Sequence, residues 1–274
     1  MRDLLRLVRA ANLLIALAGV LAGGWIALGR VAIPRVLAFA ALAAASFAAA
    51  GNVLNDLWDA PADRLNRRPE ERPLAAGRIA PGTAHLTLVA SVLGGVGAAA
   101  LVSGTALLIG LGALAVMIAY SPLLKRRGVP GNLAIAAVAG LPPLYGALAV
   151  DRPAAGVVPW TLAAWLHLVR ELVKDIDDAP GDRAVGRRTL PLVVGTRAAQ
   201  LAAAGLAAGF VPLSLVLPAW AHYGRGYFLI ALVPQLAVLG VASWLAVGRT
   251  DRASVTLKGA MLVGLVALVA GRVA

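Results

Sequence analysis

Apolar residues run through this chain in long blocks rather than in the half-polar rhythm of surface helices. A membrane-spanning helix needs about 20 mostly apolar residues. Nine blocks read as spans of this kind: 10–29, 35–56, 84–103, 105–120, 131–150, 157–175, 197–217, 227–247 and 255–272. Only a turn near Ser103–Gly104 parts the third from the fourth. Gly94, Gly95, Pro142, Pro143 and Pro212 fall inside blocks, where they suit close helix packing and local kinks in lipid. The pattern predicts an all-α integral membrane protein with nine transmembrane helices, forming a single domain over residues 1–274. The first block follows a basic start and has no small-residue cleavage site, so it reads as a span rather than a removable signal peptide.

The polar positions between the blocks set an orientation. Eighteen of the 25 basic residues lie on the N-terminus and the even-numbered connections. Five (Arg30, Arg35, Arg152, Arg225 and Arg272) lie on the other side, and Arg170 and Lys174 close the sixth span. Basic residues mark the cytoplasmic side. The N-terminus is therefore expected in the cytoplasm and the C-terminus outside, in the cell (inner) membrane. Trp25, Trp160 and Trp220 near span ends read as interfacial belt residues.

Composition agrees with a membrane protein: 60% of residues are hydrophobic and 14% charged, against about 25% charged in soluble domains. Zero cysteines exclude disulfide and thiolate chemistry. The net charge of +12 reads as topology signal and contact with anionic membrane lipids. No aromatic-rich binding motif accompanies it, so no nucleic-acid partner is expected.

Acids change the picture most. Ten of the 13 fall in two places, Asp56–Glu71 and Glu171–Asp182. Each place carries D-x2-D-A-P-x-D-R: Asp56, Asp59, Asp63 with Arg64, and Asp175, Asp178, Asp182 with Arg183. Positions i, i+3 and i+7 share one face of a helix. Pro61 and Pro180 predict that each motif straddles a helix end or a kink. Both motifs follow even-numbered spans, hence lie on the cytoplasmic side. Acids at membrane depth are costly and mark function. Six carboxylates from two opposed helix ends repel one another unless a cation lies between them. Oxygen ligands without Cys or nearby His favour Mg²⁺ over Zn²⁺, and Mg²⁺ completes its shell with water and substrate phosphate. Basic partners for phosphate follow: Arg67, Arg68 and Arg72; Arg183, Arg187 and Arg188; and Lys125 with Arg126 and Arg127.

"NDLWDAPAD" (Asn55–Asp63), "DAPGD" (Asp178–Asp182) and "YSPLLKRRG" (Tyr120–Gly128) resemble the two aspartate motifs and the Tyr/Lys segment of the UbiA superfamily of intramembrane prenyltransferases. The family often spaces the last as YxxxK, whereas Lys125 stands five residues after Tyr120. The resemblance implies helices around a central chamber and Mg²⁺-dependent prenyl transfer from a polyprenyl diphosphate. It implies two Mg²⁺ ions, one on Asp59 and Asp63 and one on Asp178 and Asp182, with Asn55, Asp56 and Asp175 completing or orienting their shells. Arg72 and Lys125 would hold diphosphate oxygens, Arg67 would assist, and Tyr120 would lie near the reacting carbon. Arg9 and Asn12 open span one where the family often places Arg and Asn near the chamber. "RELVKDIDDAPGDRAVGRRTLP" (Arg170–Pro191) is similar to the digeranylgeranylglyceryl phosphate synthase branch. That branch implies a geranylgeranyl donor and geranylgeranylglyceryl phosphate as acceptor, with Arg170, Lys174 or Arg9 available to its phosphate. Other branches prenylate aromatic acceptors of the 4-hydroxybenzoate, homogentisate, naphthoate or chlorophyllide type. His167 reads equally as a packed polar residue or an acceptor-site base.

Two other classes fit less well. A divalent-cation transporter would place its acids near the bilayer midplane and without arginines beside them. A CDP-alcohol phosphotransferase would need D-x2-D-G-x2-A-R…G-x3-D-x3-D, which the chain lacks.

Overall fold

A computed structural model describes residues 1–65 and 72–273; the expectation for Arg67 lies outside them. Twelve α-helices follow one another, with no strand among the described residues: α1 (Arg2–Leu7), α2 (Ala10–Leu28), α3 (Arg35–Asp63), α4 (Pro81–Ala100), α5 (Gly104–Ala119), α6 (Val129–Ala139), α7 (Pro142–Ala149), α8 (Val157–Ala184), α9 (Leu190–Val194), α10 (Thr196–Trp220), α11 (Arg225–Ala246) and α12 (Ala253–Ala270). Eight segments are long and apolar enough to cross a membrane, with α6 and α7 together counted as one. The protein is an integral membrane protein on this pattern. The helix α8 has the length but not the apolarity, because charges begin at Arg170.

Two apolar cores build the bundle. One joins α8 to α10, α11 and α12 through residues such as Val169, Val173, Val238, Val241 and Leu257. The other joins α2, α3, α4, α5 and α7 through Val20, Leu37, Phe47, Ala98, Leu114 and Tyr145. Contacts of α12 with α2 and of α6 with α8 close the two halves into a ring. Small residues allow the closest approaches: a Cβ on Gly23 would stand 1.8 Å from the Pro143 carbonyl oxygen, and one on Gly146 would stand 1.9 Å from that of Val20.

The turn expected between the third and fourth spans is present, with Ser103 Oγ accepting from the Ala106 amide at 3.0 Å as an N-cap. The block at 131–150 is broken at Gly140–Leu141, where Pro142 opens α7. Helices α3 and α8 run 7 and 9 residues beyond the predicted ends of their blocks, at 56 and 175. Pro61 and Pro180 lie inside these extensions, two and four residues from the helix ends, where one missing donor leaves most of the ladder intact. Both motifs therefore occupy the last turns of long helices rather than loops.

Candidate functional site

The first motif buries all three of its aspartates, which share one face of α3 as their spacing predicts. In the second, Asp175 and Asp182 are buried and Asp178 half-buried along α8. The ends of the two helices meet around shared cations. Lys125 Nζ stands 3.2 Å from Asp59 and 3.5 Å from Asp182. Arg187 donates to Asp59 at 2.5 Å and to Asp182 at 2.8 Å. Each cation thus clasps one carboxylate from each motif. Burial opposes charge on both, but Asp59 and Asp182 outweigh it and hold Lys125 and Arg187 above their ordinary ranges. Both stay charged at any physiological pH.

A second layer flanks this clasp. Arg9 donates to Asp56 at 2.5 Å, and Arg72 donates to the same oxygen at 3.2 Å and reaches Asp63 at 3.7 Å. Arg72 is half-buried, and Asp63 and Asp56 outweigh its desolvation and raise it above the usual arginine range. Leu74 and Ile79 anchor the segment after Arg72 against Leu7 and Val53, and Gly77 supplies the positive φ its turn needs. Arg9 itself has φ 54°. A left-handed arginine between α1 and α2 is a strained backbone that redirects the chain. Asn52 donates to the Val8 carbonyl at that break, 2.8 Å away.

The segment from Tyr120 explains the unusual spacing to Lys125. Tyr120–Leu124 form a π-helical turn, closed by the Lys125 amide on the Tyr120 carbonyl. A π turn absorbs one extra residue without rotating its flanks and is frequent at functional sites. Tyr120 and Lys125 consequently face the same centre. The Tyr120 hydroxyl approaches Glu171 Oε2 at 3.4 Å, which orients the ring. Asp175 is turned to Asn132, whose Nδ2 donates to it at 2.8 Å.

Two spaces open from the site. A polar cleft of about 350 Å³ is lined by Asp56, Asp63, Arg72 and Asp178, with Arg9, Arg170 and Lys174. A mainly apolar chamber of about 180 Å³ runs inward, with Arg9, Asn12, Asn55 and Tyr120 at its polar side and Ile15, Phe47, Met117, Val138 and Pro142 among its walls. His167 faces this chamber and a smaller apolar lobe behind it, and its Nδ1 has no hydrogen-bond partner. The structure thus gathers Arg9, Asn12, Asn55, Asp56, Asp59, Asp63, Arg72, Tyr120, Lys125, Arg170, Lys174, Asp178 and Asp182 at one end of the bundle.

Among the described residues, no three acids are grouped tightly enough to hold a metal unaided. The donor set nevertheless fits a hard cation: all acidic oxygens, with Asp182 Oδ2 buried and lacking any hydrogen-bond partner. Arg187 and Asn132 are central here, yet neither stood out from spacing. Arg187 was one of several basic residues after the motif, and Asn132 lies in an otherwise apolar block. Their contacts span 128 and 43 residues, beyond the reach of local pattern.

Fold and site together are those of a membrane-embedded enzyme handling an apolar substrate with an anionic head. The chain belongs to the UbiA prenyltransferase family, whose sequence model matches residues 16–268. It is similar to a digeranylgeranylglyceryl phosphate synthase of Methanopyrus kandleri, 36% identical over 98% of this chain and 99% of that protein. It also resembles a solved structure of digeranylgeranylglyceryl phosphate synthase in membranes, at 25% identity and TM-score 0.72, covering 99% and 98% of the two chains. A UbiA homologue from Archaeoglobus fulgidus, solved bound to GPP and Mg²⁺, shares the fold at 19% identity and TM-score 0.68, covering 98% of each chain. The protein is thus a prenyltransferase.

Proposed function

We propose that the protein transfers a geranylgeranyl group from its diphosphate to geranylgeranylglyceryl phosphate, forming an ether lipid. The observation that carries this reading is the clasp: Lys125 and Arg187 each join Asp59 of one motif to Asp182 of the other, beside the apolar chamber. One anionic head can engage both motifs there while its chain lies in the chamber. The relatives named as synthases of this lipid support the acceptor.

Asp59 and Asp63 would hold one Mg²⁺ and Asp178 and Asp182 a second, with Asn55, Asp56 and Asp175 orienting them; the homologue with GPP and Mg²⁺ supports the metal. When bound, the metal neutralises charge building on the departing diphosphate. Lys125, Arg72 and Arg187 add fixed positive charge on the same oxygens, so cleavage of the allylic C–O bond is stabilised where charge develops. Tyr120 presents an aromatic ring to the resulting allylic cation, and ring faces attract cations. Apolar walls keep water from that cation, which would otherwise be hydrolysed. The glyceryl hydroxyl then attacks the cationic carbon, and its proton passes to the released diphosphate.

In this reading residues 1–274 are one transmembrane domain with nine crossings, α8 included. The N-terminus and both motifs face the cytoplasm across the cell membrane, and the C-terminus lies outside. The bias of basic residues supports that orientation.

Purified protein given radiolabelled geranylgeranyl diphosphate, Mg²⁺ and a panel of acceptors tests the reaction. The panel holds the glyceryl phosphate ether, 4-hydroxybenzoate and homogentisate. The expected product is the doubly prenylated ether, lost on addition of EDTA. Label appearing only in an aromatic product would move the protein to another branch of the family. No product from any acceptor, together with metal flux in liposomes, would remove the enzymatic reading.

A further inference from the structure

The aspartates account for some of the cations at this end of the bundle and leave others over. Arg9, Arg72, Lys125 and Arg187 each face an acid of the motifs. Arg170, Lys174 and Lys258 do not; they line both the polar cleft and the chamber where the two join. Among the residues lining the chamber a single carboxylate accompanies them: Glu171 is 2.8 Å from Lys174 and 3.6 Å from Arg170. Lys258, reaching in from α12, has no acidic partner among the described residues. On the chamber side, three cations against one carboxylate leave a surplus of positive charge inside a helical bundle, whereas the cleft also holds Asp56, Asp63, Asp177, Asp178 and Asp251.

Such a surplus is costly at membrane depth and marks a functional site. The placement suits an anion. Lys174 precedes Asp178 by one turn on the same face of α8 and Arg170 by two, so these groups lie about 6 Å and about 12 Å further in along the helix. Ser254 Oγ accepts from Arg170 Nε at 3.1 Å, which steadies the guanidinium and leaves the hydroxyl proton free to donate. Two ammonium groups, a guanidinium and a hydroxyl match the oxygens of a dianionic phosphate.

We propose that Arg170, Lys174 and Lys258, steadied by Ser254, form a second anion site, separate from the diphosphate site at the aspartates. It takes the phosphomonoester headgroup of a lipid acceptor. The assignment rests on the reaction proposed above for the acceptor's identity, whereas the surplus charge stands without it. Arg9, with Arg170 and Lys174 one of the three groups the resemblance makes available to such a phosphate, lines the same two spaces and also pairs with Asp56. Lys258, one of the eighteen basic residues counted toward the cytoplasmic side, joins these groups from α12.

Steady-state kinetics of Lys258→Gln and Lys174→Gln test this on the phosphorylated lipid acceptor, on the same lipid without phosphate, and on the donor. Losing one charge-assisted contact raises the acceptor KM by about tenfold to a hundredfold. The donor KM stays unchanged, Lys258→Arg recovers most of the loss, and Arg252→Gln, an exposed charge on the same side, has no effect. The lipid without phosphate binds poorly and equally to all variants. A rise in donor KM instead, or an unchanged acceptor KM, would overturn the proposal. A second readout needs no turnover: thermal stability in EDTA with inorganic phosphate, the phosphorylated lipid or its phosphate-free form. Wild-type Tm rises with the phosphorylated lipid and this rise is lost in Lys258→Gln. Stabilisation by inorganic phosphate alone would overturn the lipid assignment. If no acceptor is ever prenylated, the functional reading fails and the Tm series alone decides the site: a rise lost in Lys258→Gln keeps it, no rise removes it.

Discussion

Arg187 binds two acids from helices that start more than a hundred residues apart, and this makes it a structural as well as an electrostatic group. Replacing it by alanine leaves Asp59 and Asp182 buried with Lys125 as their common cation. Removing one partner of a buried ion pair costs about 3–5 kcal/mol, because the charge left behind is uncompensated. Arg187→Ala should therefore lower the unfolding temperature in EDTA, and Mg²⁺ should restore much of the loss by supplying positive charge to the same oxygens. Stability equal to wild type in EDTA would show that Lys125 alone balances both acids. The aspartates behave differently. Asp63→Ala and Asp182→Ala each remove a proposed ligand of a different ion. Each should cut kcat by about a thousandfold, the equivalent of about 4 kcal/mol, while the protein still extracts and purifies as a folded species. Near-normal turnover in either variant would dissolve the two-ion assignment for its motif.

At the level of elements, the sequence was legible where a physical period repeats. Eight of the nine apolar blocks coincide with helical segments long and apolar enough to span, and the i, i+3, i+7 spacing placed Asp56, Asp59 and Asp63 on one face. Helix ends were less legible. Apolar residues stop near Asp56 and Asp175, but backbone hydrogen bonding does not, and ion pairs replace apolar contact over the last turns of α3 and α8. The Tyr120–Lys125 spacing departs from the family's usual pattern because a π turn takes up one extra residue, and residue counting does not reveal such a turn. That turn makes a prediction of its own. Leu123 lies in it with 61% of its surface exposed. Deleting Leu123 should turn Tyr120-Ser-Pro-Leu-Lys into an ordinary α turn with the lysine four residues on, still facing Asp59. The donor KM should then stay close to wild type, whereas Lys125→Ala should raise it by about tenfold to a hundredfold. A deletion variant as impaired as Lys125→Ala, yet folded, would show that the π turn positions more than the lysine.

For the whole molecule, the nine crossings proposed above rest on which ends must meet. Eight segments qualify as spans on apolarity, and α8 is left out. Its apolar stretch before Arg170 is only 13 residues, about 20 Å of helix against a hydrocarbon core of about 30 Å. Yet Asp59 and Asp182 share Lys125 and Arg187, so the ends of α3 and α8 lie on one side. Between those ends stand α4, α5 and the α6–α7 pair, which make three crossings and would leave the second motif on the far side. A crossing by α8 restores the match. Its intramembrane charges are tolerable because Glu171, Ser254 and the polar cleft receive them. Cysteine mapping tests this directly, since the chain has no cysteine of its own. Ala154→Cys and Arg188→Cys flank α8 at exposed positions. A membrane-impermeant maleimide should label Ala154→Cys in intact cells, and Arg188→Cys only after permeabilisation. Labelling of both under the same condition would remove α8 from the set of crossings. It would also require the two motifs to meet by some route other than a common face of the membrane.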